Sequence, residues 1–336
     1  MAENEQKVEA KSSDSHGSKV SVIAAILGNI GVAIVKFIAS AVSQSSAMFS
    51  EAIHSLVDCG NGILILFGMK RAKQEPDFTH PFGFGKELYF YTLIVALLIF
   101  LLGGGVAFYD GIRAVQSALT GDAVIGDPLV NYVVIIAAAI IEGSSLTVAI
   151  KNFNRARKKM DMRPLEFIRY AKDPSLYTVV LEDTAAETGL VFALAGTILT
   201  QVTRNAIFDG IASCLIGLLL FTVSFILLKE TKGLLVGEGI TSEEVNEMRE
   251  LVFGDHRVLG VGRILTQYMG PHYLLVDMDV TLLQHLTTAE VDEVTDGIER
   301  RIKARWPEAA QIFIEVETLQ NVVAQQQDQA EWDEED

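Results

Sequence analysis

Cysteine is almost missing from this chain: its 336 residues include two, Cys59 and Cys214, both inside apolar runs. Without a paired CxxC spacing, a disulfide scaffold and a thiolate zinc cluster are excluded. Cations are scarce as well, with 27 Lys and Arg against 43 Asp and Glu and a net charge of −16. Nucleic acid is therefore excluded as a partner, because phosphate needs a basic surface. The polar opening segment MAENEQKVEAKSSDSHGSK has no short apolar core and no small-residue cleavage site behind it, so it does not read as a cleaved signal peptide. Hydrophobic residues, in contrast, make up 50% of the chain, and the mean hydropathy of +0.32 exceeds ordinary globular composition. The acidic excess is confined to one end. From Gly237 onward 22 acidic residues face 7 basic ones, so an apolar regime is joined to an acidic one.

The apolar regime contains six stretches long enough to cross a hydrocarbon core of about 30 Å, which takes roughly 20 helical residues. They fall near 20–43, 46–69, 88–110, 129–151, 176–200 and 206–228. The expected organisation is a polar segment over 1–18, a six-helix transmembrane domain over 19–230, a soluble domain over 231–318 and an acidic, Gln-rich, disordered tail over 319–336. Cations concentrate after the second span (Lys70, Arg71, Lys73, Lys86) and after the fourth (Arg155, Arg157, Lys158, Lys159, Arg163, Arg169, Lys172). The opposite loops offer little beyond Arg113 and Arg204. By the positive-inside rule both termini are cytoplasmic, as an even number of crossings requires. Dense small residues in the first, second and fifth spans (Gly28, Gly31, Gly60, Gly62, Gly189) predict close backbone approach there.

Charged side chains within a bilayer cost several kcal/mol by insertion scales of about 2.5–3.5 kcal/mol each, so each needs a reason. On the second span Glu51, His54 and Asp58 share a face. On the fifth, Asp183 and Glu187 share one at i, i+4. Counting the rise per residue from the outer helix ends puts His54-xxx-Asp58 and Asp183-xxx-Glu187 at overlapping depth. One imidazole and three carboxylates then outline a tetrahedral divalent-metal site of His54, Asp58, Asp183 and Glu187. A purely structural ion pair fits less well, since Lys36 can neutralise at best one acid. Glu51 is expected nearer the outer mouth, as an ion guide or a solvated helix end. Glu182 points about 100° from the site, as a proton relay or a partner of Lys36. Glu142 is given no role, and Asp209 is expected to be wet at an interface.

The motifs SSAMFSEAIHSLVD, HPFGFGKE, VLEDTAAETG, FDGIASCLIGLLL and KGLLVGEG together resemble the cation diffusion facilitator family of divalent-metal/proton antiporters, over residues 18–318. The EDTAAETG version resembles most the subgroup with mitochondrial zinc transporters and their bacterial relatives. The resemblance implies that His54, Asp58, Asp183 and Glu187 are the transport ligands, that the metal is substrate rather than cofactor, that the chain is not an enzyme, and that it forms a homodimer in a membrane, the bacterial inner membrane foremost. Many zinc members carry His-xxx-Asp on the fifth helix. The Asp-xxx-Glu found here is a harder donor pair, leaving Mn²⁺, Fe²⁺ and Co²⁺ open beside Zn²⁺. In the second loop Asp77 and His80 match an accessory metal site of the family, but Phe84 stands at its last position. Glu315 and Glu317 on the last strand lack an aligned His, so little regulatory metal binding is expected there.

Beyond Gly237, TSEEVNEMRELVFG carries a capping box before helical periodicity, and VLGVGRILTQYMGPHYLLVDMDVTL reads as two strands about a Gly-Pro turn. An amphipathic helix ending at Pro307 and the strand AQIFIEVET complete an αββαβ order, expected to be a ferredoxin-like cytoplasmic α+β domain. The whole predicts export of a divalent cation, Zn²⁺ first, in exchange for protons, because metal and protons compete for the same ligand atoms. A membrane metalloenzyme or a non-transporting metal sensor is the alternative left by the residues alone, although no HExxH motif is present.

Overall fold

The computed structural model describes residues 28–159 and 162–317. The predicted start of the first span, the polar opening segment and the acidic tail lie outside these. Among the described residues two compact units emerge: those up to 70 with 90–231, and 71–89 with those from 232 onward.

In the first unit, α1 (Gly28–Ser43) is followed by five helices long and apolar enough to span a membrane: α2 (Ser46–Ala72), α3 (Glu87–Thr120), α4 (Leu129–Lys159), α6 (Pro174–Thr203) and α7 (Ile207–Val236). A short helix between two of these, α5 (Pro164–Tyr170), had no counterpart in the expected spans. Pro164 and Pro174 each sit in the first turn of their helices, where the missing N–H is not needed. Several helices outrun the predicted spans because polar residues interrupt the apolar run before the helix stops: α4 continues to Lys159, and α7 passes Lys229, Glu230 and Lys232 to reach Val236. Hydropathy marks where a helix leaves the apolar range, not where its hydrogen bonding stops.

Helix α3 carries a π-helical turn over Ile99–Gly105, ending in three consecutive glycines, the kind of place where helices bend. Below it, α3 and α7 approach through small residues. A Cβ on Gly111 would lie 2.6 Å from Cys214 N, one on Gly210 2.7 Å from Val115 N, and one on Gly217 2.6 Å from Phe108 N. Of the glycines where the sequence predicts close approach, a Cβ at Gly28, Gly31, Gly60 or Gly62 meets nothing within 4 Å among the described residues, whereas one at Gly189 would strike the Glu51 carboxylate. Small residues permit contact; which neighbour uses the permission depends on the bundle.

The start of α2 is held by polar groups from two other helices. Ser45 Oγ accepts from Met48 N at 3.1 Å as the helix cap and donates to Asp209 Oδ1 at 2.6 Å. Ser46 N donates to Asp209 Oδ2 at 2.5 Å, and Ser46 Oγ donates to Asp110 Oδ2 at 2.6 Å. Asp209 is buried, not wet as expected, because its carboxylate satisfies otherwise orphaned donors at a helix N-terminus.

The second unit has the expected αββαβ order: α8 (Ser242–Phe253), β1 (Val258–Gly270), β2 (Tyr273–Leu282), α9 (Thr288–Arg305) and β3 (Ala309–Glu317). Capping boxes start both helices, Thr241 with Glu244 and Thr287 with Glu290. Central β2 pairs antiparallel with β1 and parallel with β3. Its buried Leu274, Val276, Met278 and Val280 alternate along the strand and share one core with Val294, Ile298 and Ile302 of α9. Trp306, nearly fully buried, ends α9 and closes that core.

Candidate metal centre

Two contacts fix the register between α2 and α6. At one end Glu51 packs against Gly189, where a Cβ would strike its carboxylate. At the other, Asn61 Nδ2 donates to Glu182 Oε1 at 2.9 Å. The residue pairs run in opposite senses, so the helices are antiparallel. On α2, His54 and Asp58 lie three residues inward of Glu51 and Asn61; on α6, Glu187 lies two residues inward of Gly189 and Asp183 one residue inward of Glu182. Both predicted pairs therefore lie between the two contacts.

His54 is 1% exposed, with Nδ1 3.4 Å from Asp58 Oδ1. Among the described residues, neither imidazole nitrogen nor Asp58 Oδ1 has a hydrogen-bond partner. Buried polar atoms are normally satisfied, so orphans concentrated on one helix turn need an explanation. Asp58 and Asp183 line one opening with a cavity volume of about 30 Å³, together with Asn29, Ser55, Glu142, Ser145 and Ala186. Asp183 Oδ2 accepts from Ser145 Oγ at 3.0 Å. Glu187 lies beside Gly143 of α4, whose Cβ would come 3.1 Å from Glu187 Oε1.

The structure thus brings Asp58 and Asp183 to one opening and His54 to Asp58, with Glu187 against α4. It does not draw the four into one coordination sphere: among the described residues no three His, Cys, Asp or Glu side chains are grouped as metal ligands. The acids have local partners instead, Ser145 for Asp183 and Lys36 for Glu142.

Lys36 departs furthest from expectation. Fully buried on α1, its Nζ donates to Glu51 Oε2 at 3.0 Å, Ser55 Oγ at 2.8 Å and Glu142 Oε1 at 2.8 Å. It thus meets two acids rather than one. Glu51 is not at a wet mouth but wholly buried on this ammonium, since an apolar bundle holds a carboxylate best beside a cation. Glu182 is not the partner of Lys36; it takes Asn61. Glu142, given no role from the sequence, lines the opening. Its one sequence signal is a lone acid in the fourth apolar span.

At the accessory position His80 Nδ1 and Asp77 Oδ1 lie 3.1 Å apart, both side chains about half exposed. Hydrogen bonds from the Thr79 side chain and from the His80 backbone hold the Asp77 carboxyl below the usual carboxylate range. Phe84 stacks on the His80 ring with centroids 4.3 Å apart. A ring thus stands where the related site has a donor.

Residues 22–236 match the cation efflux transmembrane domain, and residues 240–319 match the cytoplasmic domain of cation efflux proteins. The human protein named "Proton-coupled zinc antiporter SLC30A9, mitochondrial" is 30% identical over 285 residues, 83% of this chain and 49% of the relative. Metal tolerance protein C4 of Arabidopsis thaliana is 30% identical over 262 residues, 77% of this chain and 55% of the relative. The chain spans about half the length of these two relatives. Manganese efflux system protein MneP of Bacillus subtilis is 25% identical over 299 residues, 89% of this chain and 95% of the relative. By name these relatives are a zinc antiporter, a metal tolerance protein and a manganese efflux system protein. With both family domains matched in succession along its length, the chain belongs to the cation efflux, or cation diffusion facilitator, family of integral membrane metal transporters.

Proposed function

We propose that this protein exports a divalent transition-metal cation, Zn²⁺ foremost, from the cytoplasm in exchange for protons, with His54, Asp58, Asp183 and Glu187 as the transport ligands. The observation that carries the reading is the buried His54–Asp58 turn, unpartnered at three polar atoms among the described residues, with Asp58 and Asp183 on one opening and both pairs between the same two α2–α6 contacts. An imidazole and three carboxylates around M²⁺ make a site near net −1. A cation and protons compete for the same atoms, which couples their movements if the bundle opens alternately to each side. A membrane potential adds about 2.3 kcal/mol per charge per 100 mV, so exchange for two or more protons can drive export uphill.

The three-carboxylate donor set is hard enough to take Mn²⁺, Fe²⁺ or Co²⁺ by the same mechanism, and a manganese efflux protein is among the relatives. The cation-rich loops after α2 and α4 support cytoplasmic termini by the positive-inside rule. The resemblance of residues 240–319 to the family's cytoplasmic domain supports a homodimer through that unit, and the bacterial inner membrane is the location we assign.

The test is metal uptake into proteoliposomes under an imposed pH gradient, with Zn²⁺, Mn²⁺, Fe²⁺ and Co²⁺ in competition. The expected result is gradient-dependent flux that disappears in Asp58→Asn and in Asp183→Asn while the protein elutes as wild type. Flux indifferent to the gradient, or undiminished in both variants, refutes the mechanism or the ligand assignment respectively.

A further inference from the structure

Four helices contribute to the opening beside Asp58, and α1 and α4 bring residues that the proposed ligand set does not use. Lys36 from α1 is inaccessible to solvent and bonded at once to Glu51, Ser55 and Glu142. Glu142 from α4 has its two oxygens in different situations: Oε1 is on the ammonium, while Oε2 is buried without a hydrogen-bond partner among the described residues. Glu142 lines the opening with Asp58 and Asp183, and its side chain is 14% exposed. His54, almost completely buried with both ring nitrogens unpartnered, adjoins Asp58.

We infer that Glu142 is a further cargo-contacting residue, presenting Oε2 to the divalent cation, and that Lys36 is its positioning residue, an internal counter-ion that caps the negative charge of the site. The inference rests on the transport reading above. Its physical basis is charge balance. Ligation by Glu142 would bring a fourth carboxylate to a three-carboxylate site, and a carboxylate cluster that strong binds a divalent ion firmly and releases it slowly. A fixed ammonium on Oε1 halves that problem: it holds Glu142 toward the opening and weakens its pull on the ion. Glu51, the other anion on Lys36, keeps the ammonium in place through the cycle, since it has no cation among the described residues except Lys36.

The two residues therefore have opposite effects on affinity, which a purely structural pair does not. In detergent-purified full-length protein, with Zn²⁺ binding measured by equilibrium dialysis and elution volume as the check on folding, Glu142→Gln is expected to weaken binding by roughly ten- to hundredfold. Lys36→Gln is expected to tighten it while slowing flux in proteoliposomes, and Lys36→Arg to restore flux toward wild type. Should Lys36→Gln fail to elute as wild type, Glu142→Gln and Lys36→Arg still decide the matter. Zn²⁺ bound equally well by wild type and Glu142→Gln overturns this inference and leaves the transport reading standing. Wild-type protein that neither binds nor moves any of the four metals overturns the transport reading itself. Weaker binding in both Lys36→Gln and Glu142→Gln, with no rescue by Arg, reduces the pair to a structural ion pair and overturns the counter-ion role.

Discussion

Asn61 and Glu182 meet across 2.9 Å, amide to carboxylate, both buried and 121 residues apart in sequence. This bond is one of the two contacts that set how α2 slides against α6, and the candidate ligands on both helices depend on that register. Interhelical hydrogen bonds in membranes are worth about 0.6 kcal/mol on average and up to roughly 1.7. Asn61→Ala is expected to destabilise by about 1 kcal/mol. In a thermal-unfolding double-mutant cycle, Glu182→Gln should cost less, because a Gln oxygen still accepts from Asn61. Additive losses would show that the two residues do not interact.

The α3–α7 contact predicts a sharp contrast between glycines. At Gly217 a Cβ would sit 2.6 Å from the backbone nitrogen of Phe108, whereas at Gly28 it meets nothing within 4 Å among the described residues. Gly217→Ala is therefore expected to destabilise the bundle by about 1–3 kcal/mol through overpacking. Gly28→Ala should be neutral or slightly stabilising, since Ala is the better helix former. Equal melting temperatures for the two variants would contradict this packing.

Asp209 caps α2 from another helix, through Ser45 and Ser46. Removing a capping acceptor typically costs about 0.5–2 kcal/mol, and Asp209→Ala is expected to fall in that range in detergent unfolding. Asp209→Asn keeps one acceptor oxygen and should lose less. The variants differ little if the start of α2 is held instead by its own Ser45 cap alone.

In the second unit Arg257 donates to both oxygens of Asp255, from Nε at 3.1 Å and from its terminal nitrogen at 3.0 Å. Those side-chain bonds hold the Asp255 carboxyl down at about 2. A carboxyl whose folded value is depressed stabilises the fold fully above its unfolded value of about 3.9, and that contribution fades as pH falls toward the folded value. Urea unfolding of the full chain, followed by Trp306 fluorescence in a Trp332→Phe background, should show a midpoint that falls between about pH 4 and pH 2. Asp255→Asn is expected to flatten part of that fall. An identical pH profile in the variant would remove Asp255 from the account.

Much of this architecture is legible residue by residue. Thr241 three positions before Glu244, and Thr287 before Glu290, announce helix starts because a cap needs only its own first turn. Alternation from Leu274 to Val280 announces a strand with one buried face. The i, i+4 spacing of His54 with Asp58, and of Asp183 with Glu187, likewise puts each pair on one face of its own helix. Such signals are short-ranged, and hydropathy integrates over a single span.

Partner choice is another matter. Lys36 and Glu142 are 106 residues apart, and no local pattern says that the cation of α1 meets the acids of α2 and α4 rather than Glu182 of α6. The same holds for Asp209, which reads as a wet helix end until the bundle sets it beneath Ser45 and Ser46. The order of amino acids determined which segments enter the membrane, where the αββαβ unit begins and which acids share a helix face. Only packing decided which buried charge neutralises which, because the cost of burying an ion is fixed by its neighbours in space and not by its neighbours in the chain.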